Sequence, residues 1–146
     1  MCWWDIAADQ SVCTITGVID GIRRGVGDIY VVGFSEAGGL LPLKKIAACL
    51  EGAHLPLNRK GMVGETGVST LAALQVLATI PNLAGGRQMM HQLLAKDIVV
   101  DGLLMFEGGR IQVLERLGLG IELDLDLVAK FARNYEKVGQ YPMNPN

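Results

Sequence analysis

Short apolar runs alternate along this chain with stretches whose apolar residues recur every three to four positions. That pattern predicts strands alternating with helices, as in βα units around a parallel sheet. Ile6-Ala7-Ala8 reads as a first strand ending at Asp9, and Val12, Ile15, Ile19 and Ile22 then share one face of a helix. Gly25 and Gly27 close that helix, since glycine readily takes the left-handed conformation of a helix end. Ile29-Tyr30-Val31-Val32 is a β-branched and aromatic run without helical period, the signature of a buried strand. Gly38-Gly39 turns the chain into a helix containing Leu43, Ala47 and Leu50.

A third unit runs from a strand at Leu55-Pro56-Leu57-Asn58 through a turn at Glu65. Its helix carries Val68, Leu71, Leu74 and Ala78 and stops before Pro81, which disfavours helical geometry in its predecessor. A fourth, weaker unit places a brief strand in Gly85-Gly86-Arg87-Gln88-Met89-Met90 and a short helix or turn at His91-Gln92-Leu93-Leu94. From Val99 the pattern changes. Leu103-Leu104-Met105-Phe106 and Ile111-Gln112-Val113-Leu114 flank Glu107-Gly108-Gly109-Arg110, a hairpin pattern with a glycine turn. Leu125, Val128, Phe131, Ala132 and Tyr135 stripe a final helix, and Tyr141 to Asn146 compose a frayed end. Residues 1–98 therefore form the βα units, and residues 99–146 a hairpin, a glycine-rich segment and a helix.

Composition narrows the class. Half of the 146 residues are hydrophobic, 19% are charged and the net charge is −2, a globular balance without the basic stripe that nucleic acid demands. No apolar run approaches the ~20 residues of a membrane helix. The N-terminal residues lack the basic region of a secretion signal. Cys2, Cys13 and Cys49 are an odd set without CxxC spacing, which fits a reduced, cytoplasmic setting, with Cys13 and Cys49 as small packing residues on helices. Trp3 and Trp4 are expected as core aromatics, His54 as a surface or turn residue, and His91 as partly buried.

The most chemical segment is Gly64-Glu65-Thr66-Gly67-Val68-Ser69-Thr70, an acid at a glycine-flanked turn that opens an apolar helix. Its order after Ala8-Asp9-Gln10-Ser11 and Ser35-Glu36-Ala37-Gly38-Gly39-Leu40, and before Gly118-Leu119-Gly120-Ile121-Glu122-Leu123-Asp124, is informative. From about Ala7 to Tyr135 the chain resembles the C-terminal half of an enolase-superfamily enzyme of the muconate cycloisomerase type. The resemblance implies an α/β fold: about four βα units forming the second half of a (β/α)8 barrel, with the hairpin and last helix returning to a capping region.

It also implies roles. Family members hold a divalent ion, usually Mg2+, on three carboxylates at successive strand ends, and the ion stabilises an enolate formed when a base removes a proton α to a carboxylate. Asp9 falls at the third of these carboxylates; a hard cation wants oxygen ligands, and a strand's end aims its side chain into the barrel mouth. Asp9 could equally cap the helix after Ser11. Gln10 replaces the acid usual beside it. Glu65 matches the family acid at the seventh strand turn, with a helix-capping role as its alternative. Gly33 stands where muconate-type relatives carry a catalytic lysine, so this base position is lost, which favours dehydration or elimination over racemisation. Arg87, near the eighth strand, is a candidate to anchor a substrate carboxylate bidentately. Asn58, Arg59 and Lys60 are pocket candidates, although strand alternation allows only some of them to face it.

The first two metal carboxylates, the Lys-x-Lys bases and the capping domain would precede residue 1. The expectation is thus a lyase or isomerase part, inactive alone, with Mg2+ and a small carboxylate substrate in the complete enzyme. The competing expectation is a non-catalytic half-barrel serving assembly. Either way, an open half-barrel leaves strand edges and apolar inner surface wet, at about 25 cal/mol per Å2. Self-association, or docking with an N-terminal half, is therefore expected, without nucleic acid or membrane.

Overall fold

The computed structural model describes residues 4–86, 88–100 and 106–139. Cys2, Trp3, Arg87, the Leu103-Leu104-Met105 half of the hairpin and the tail from Tyr141 lie outside the described residues. Three parallel strands, β1 (Ala7–Asp9), β2 (Ile29–Val32) and β3 (Leu57–Arg59), lie side by side in that order. Asp9 pairs with Val31, and Val31 with Asn58. Between them run α1 (Ile15–Arg24), a four-residue α2 (Phe34–Ala37), and α3 (Leu40–Gly52); α4 (Gly67–Leu77) follows β3.

Lateral partners in a sheet point the same way, so alternation sorts the strand residues into two faces. Ala8, Tyr30, Val32 and Leu57 face the helices and are buried in one core with Val18, Leu43, Ile46, Leu50, Leu71 and Leu74. Asp9, Val31 and Asn58 share the opposite, less covered face, which would be the inside of a closed barrel.

Two helix starts differ from expectation. Thr14, not Asp9, caps α1: its hydroxyl accepts from the Gly17 N–H at 3.0 Å. Glu65 does not cap α4 either; Asp97, from a distant loop, accepts the Gly67 N–H at 2.6 Å. Gly25 closes α1 at φ 62°, in the left-handed conformation expected.

The fourth strand is the main correction. No strand forms over Gly85 to Met90 among the described residues; a single parallel bridge, Leu57 to Leu83, marks its place. Gly85 adopts φ +62°, which breaks an extended run just after that bridge. A 3-10 turn at His91–Leu93 follows. The hairpin closes on two glycines, Gly108 and Gly109, both at positive φ, so Glu107 and Arg110 belong to the short strands β4 (Phe106–Glu107) and β5 (Arg110–Ile111) rather than to the turn. That is the conformation a two-residue hairpin turn requires. The last helix, α5 (Leu125–Val138), forms behind its cap Asp124 but buries none of its residues. Trp4 is 84% exposed and not a core aromatic. Cys13 precedes α1 instead of lying on it.

Candidate active site at the strand ends

β1, β2 and β3 end side by side, and the residues at or just past their C-terminal ends converge. Asp9 closes β1, Gly33 follows β2, and Lys60 follows β3. Lys60 continues the ladder through its N–H to the Val32 carbonyl, and alternation turns its side chain to the same face as Asn58. The Lys60 ammonium donates to Asp9 Oδ1 at 3.0 Å and to Glu36 Oε1 at 2.9 Å. Burial pulls the lysine pKa down, but the hydrogen bonds and charges of Glu36 and Asp9 outweigh it and hold it above the usual lysine value. At neutral pH it is an ammonium held by two carboxylates.

Gly33 makes room for this arrangement. A Cβ at Gly33 would lie 3.1 Å from Glu36 Oε2 and 3.5 Å from Lys60 Cγ. A longer side chain there would run alongside the Lys60 stem. Glu36, on α2, closes the group from above, and its Oε2 also meets Cys13 Sγ at 3.6 Å. Burial first, then the Glu36 carboxylate, pushes the Cys13 thiol upward, so it stays protonated and serves packing and hydrogen bonding. Neither Lys60 nor Glu36 stood out in the sequence as half of an ion pair. The usable signal was alternation, which sets Lys60 beside Asn58 on the inner face.

Glu65 lies elsewhere. It is 6% exposed, and its Oε1 is engaged by the Arg59 guanidinium. Its Oε2 accepts from the Met90 N–H at 3.4 Å. Arg59, 1% exposed, also donates to the Gln88 carbonyl and meets Met89 Sδ at 3.2 Å. This pair ties β3 to the turn before α4 and to the segment after Gln88. Asn58 sits on the inner face level with Asp9 and Val31, and its buried Oδ1 has no partner among the described residues. Such an acceptor is a hydrogen bond waiting to be made. A cleft of about 240 Å3 lies between the two clusters, lined by Lys60 together with Arg59, Glu65, Phe34, Ser35 and Met62. His91 is buried, bonded to the Thr70 hydroxyl at 3.1 Å and stacked on Phe106, while His54 is an exposed turn residue at φ 57°.

These donors do not fit a divalent ion. Among the described residues, no group of three or more His, Cys, Asp or Glu is placed to hold a metal. Asp9 Oδ1 already accepts from the Lys60 ammonium at 3.0 Å and from the Gln10 N–H at 2.7 Å. Mg2+ needs near-octahedral oxygen ligation, and a neighbouring ammonium opposes it.

No helix of the described residues is long and apolar enough to cross a membrane. Muconate cycloisomerase 1 of Rhodococcus opacus is 25% identical over 129 residues, 88% of this chain and 34% of its own length. Chloromuconate cycloisomerase of Cupriavidus pinatubonensis is 29% identical over 128 residues, with the same shares covered. The chain thus spans about a third of the length of these curated relatives. The crystal structure of an enolase from Thermobispora bispora, complexed with magnesium and formate, superposes with a TM-score of 0.82 at 24% identity, over 93% of this chain and 32% of that one. This likeness fixes the fold: a segment of an enolase-type barrel. Residues 3–127 match the family model for the enolase C-terminal domain-like proteins, and the chain belongs to that family.

Proposed function

We propose that this chain forms the C-terminal barrel portion of a muconate cycloisomerase-like lyase or isomerase that acts on a small organic acid by removing a proton α to its carboxylate. The observation that carries the reading is the convergence of Asp9, Gly33 and Lys60 at the ends of three adjacent parallel strands. Barrel enzymes of this architecture assemble their sites at that face. The Lys60 ammonium supplies a fixed positive charge beside the cleft. Asn58 offers a buried acceptor on the inner face that has no partner among the described residues. Arg87 remains a proposed carboxylate anchor on the resemblance alone.

Glycine at position 33 provides no base, so the reaction in this reading is a dehydration or elimination using a base from outside the chain, not a two-base racemisation. Among the described residues Asp9 and Glu36 alone give Mg2+ too few oxygen ligands, so in the complete enzyme such an ion would require carboxylates from preceding strands. Asp9 acts in this portion as the carboxylate partner of Lys60, and Glu65 as the buried partner of Arg59. The inner-face residues Ile29 and Val31 are only half-buried, which favours closure by an N-terminal half or by a second copy.

The test is co-expression with a segment carrying the capping domain and preceding strands, followed by a panel of small carboxylates in D2O. Proton NMR should show the α-proton exchanging with solvent, and less so with Asn58→Ala. A co-folded complex that binds no carboxylate and exchanges no proton contradicts the reading. A second reading, a non-catalytic assembly module, is favoured by one observation: Gly33 supplies no base. It predicts a stable complex with every acid left unexchanged.

A further inference from the structure

We propose that Lys60 is the resident cation of this site: its ammonium, housed over Gly33 and clamped by Asp9 and Glu36, takes the place at Asp9 that a divalent ion would otherwise fill. Three observations carry it. The ammonium stands 3.0 Å from Asp9 Oδ1 and 2.9 Å from Glu36 Oε1, so two of its three N–H donors are used on carboxylates. Its side chain is 9% exposed, and little of it is left to water. Gly33 lies directly against the pair: a Cβ there would crowd Glu36 Oε2 at 3.1 Å and sit in ordinary contact with Lys60 Cγ at 3.5 Å. An ammonium and a hard divalent cation compete for the same carboxylate oxygens, and the tethered one is present at high effective concentration.

The arrangement also accounts for the missing neighbour acid. Gln10 adds no charge beside Asp9, and its N–H donates to the same Oδ1 that accepts from Lys60. A lysine needs no further carboxylate to complete its coordination, whereas Mg2+ does. The inference concerns which cation holds Asp9 and stands whether or not the assembled enzyme turns over a carboxylate.

The experiment is a Mn2+ titration of the purified chain at fixed ionic strength, reading free Mn2+ by electron paramagnetic resonance. The wild-type chain should bind no Mn2+ through Asp9. Lys60→Met should expose the two carboxylates and bind Mn2+ at least about tenfold more tightly than wild type. Adding Asp9→Asn to that variant should abolish the gain. Equal binding by wild type and Lys60→Met overturns the proposal, whether both bind or neither does. Should Lys60→Met fail to fold, melting curves of wild type and Asp9→Asn decide. Asp9→Asn should melt lower by the same interval with and without Mg2+. A wild-type melting temperature that Mg2+ raises, with the rise lost in Asp9→Asn, overturns it.

Discussion

Arg59 and Lys60 are consecutive cations on one strand end, and they build opposite kinds of ionic cluster. Arg59 points behind the sheet, where Glu65 and the Gln88 carbonyl close around it, and it is 1% exposed. Lys60 points to the open inner face, where its partner Asp9 keeps 46% of its side chain in water. One residue's step in register reverses the side of the sheet and with it the role. The rear pair is sealed structure. The front cluster buries its lysine almost as fully but leaves the Asp9 carboxylate open to water. Glu65 thus commits its charge to Arg59 and not to Lys60.

Breaking the rear pair should cost most. Glu65→Ala or Arg59→Met leaves one uncompensated buried charge and should lower unfolding free energy by about 3–5 kcal/mol. The double replacement Arg59→Met/Glu65→Leu should recover much of that loss in urea denaturation, because apolar groups can fill a buried pair's place. If the double variant is as unstable as the sum of the singles, the pair is not a closed unit. At the front, Lys60→Met should cost less, about 1–2 kcal/mol, since charged hydrogen bonds are lost while water can reach Asp9.

Alkaline titration sharpens the contrast further. The Lys60 pKa is raised on folding, so its contribution is full below the ordinary lysine value of 10.5 and disappears as pH rises through the higher folded value. Wild type should therefore lose stability relative to Lys60→Met in that window, followed by chemical denaturation across pH. His91 behaves with the opposite sign. Burial lowers its pKa most, against the opposing charges of Asp97 and Glu65, so the folded state resists its protonation. Its contribution is full above 6.5 and falls as pH drops below that value; His91→Gln should flatten the acid limb. The smallest effect belongs to the exposed pair of Arg24 with Asp20, 2.9 Å apart on α1, where Asp20→Asn should change stability by less than about 0.5 kcal/mol.

Much of the fold was legible because each strand carries its face in its residues. Ile29 to Val32 reads as a strand and is one, and the stripe of Leu43, Ala47 and Leu50 is the buried stripe of α3. The fourth strand misled because apolar content at Met89 and Met90 hid what Gly85 does to the backbone just before them. The stripe of α5 formed a helix, yet amphipathicity alone does not name a partner, and among the described residues nothing buries it. Asp9 and Gly33 were singled out by the order of their motifs, and the structure sets them at neighbouring strand ends. The Lys60 cluster was half legible: alternation brings Asn58 and Lys60 to one face, but only the folded chain brings Glu36, on the short α2, to the ammonium. Arg59 offered a signal too, since a cation sharing the face of Leu57 needs a buried acid, and Glu65 is six residues away.

The central claim is that a lysine, not a metal, sits at Asp9. A crystal structure of the chain grown with excess Mn2+, read by anomalous difference density, tests it most directly. The account predicts no anomalous peak at Asp9, with the Lys60 nitrogen within hydrogen-bonding distance of both Asp9 and Glu36. A Mn2+ peak coordinated by the Asp9 carboxylate, with the Lys60 side chain turned away, would contradict it.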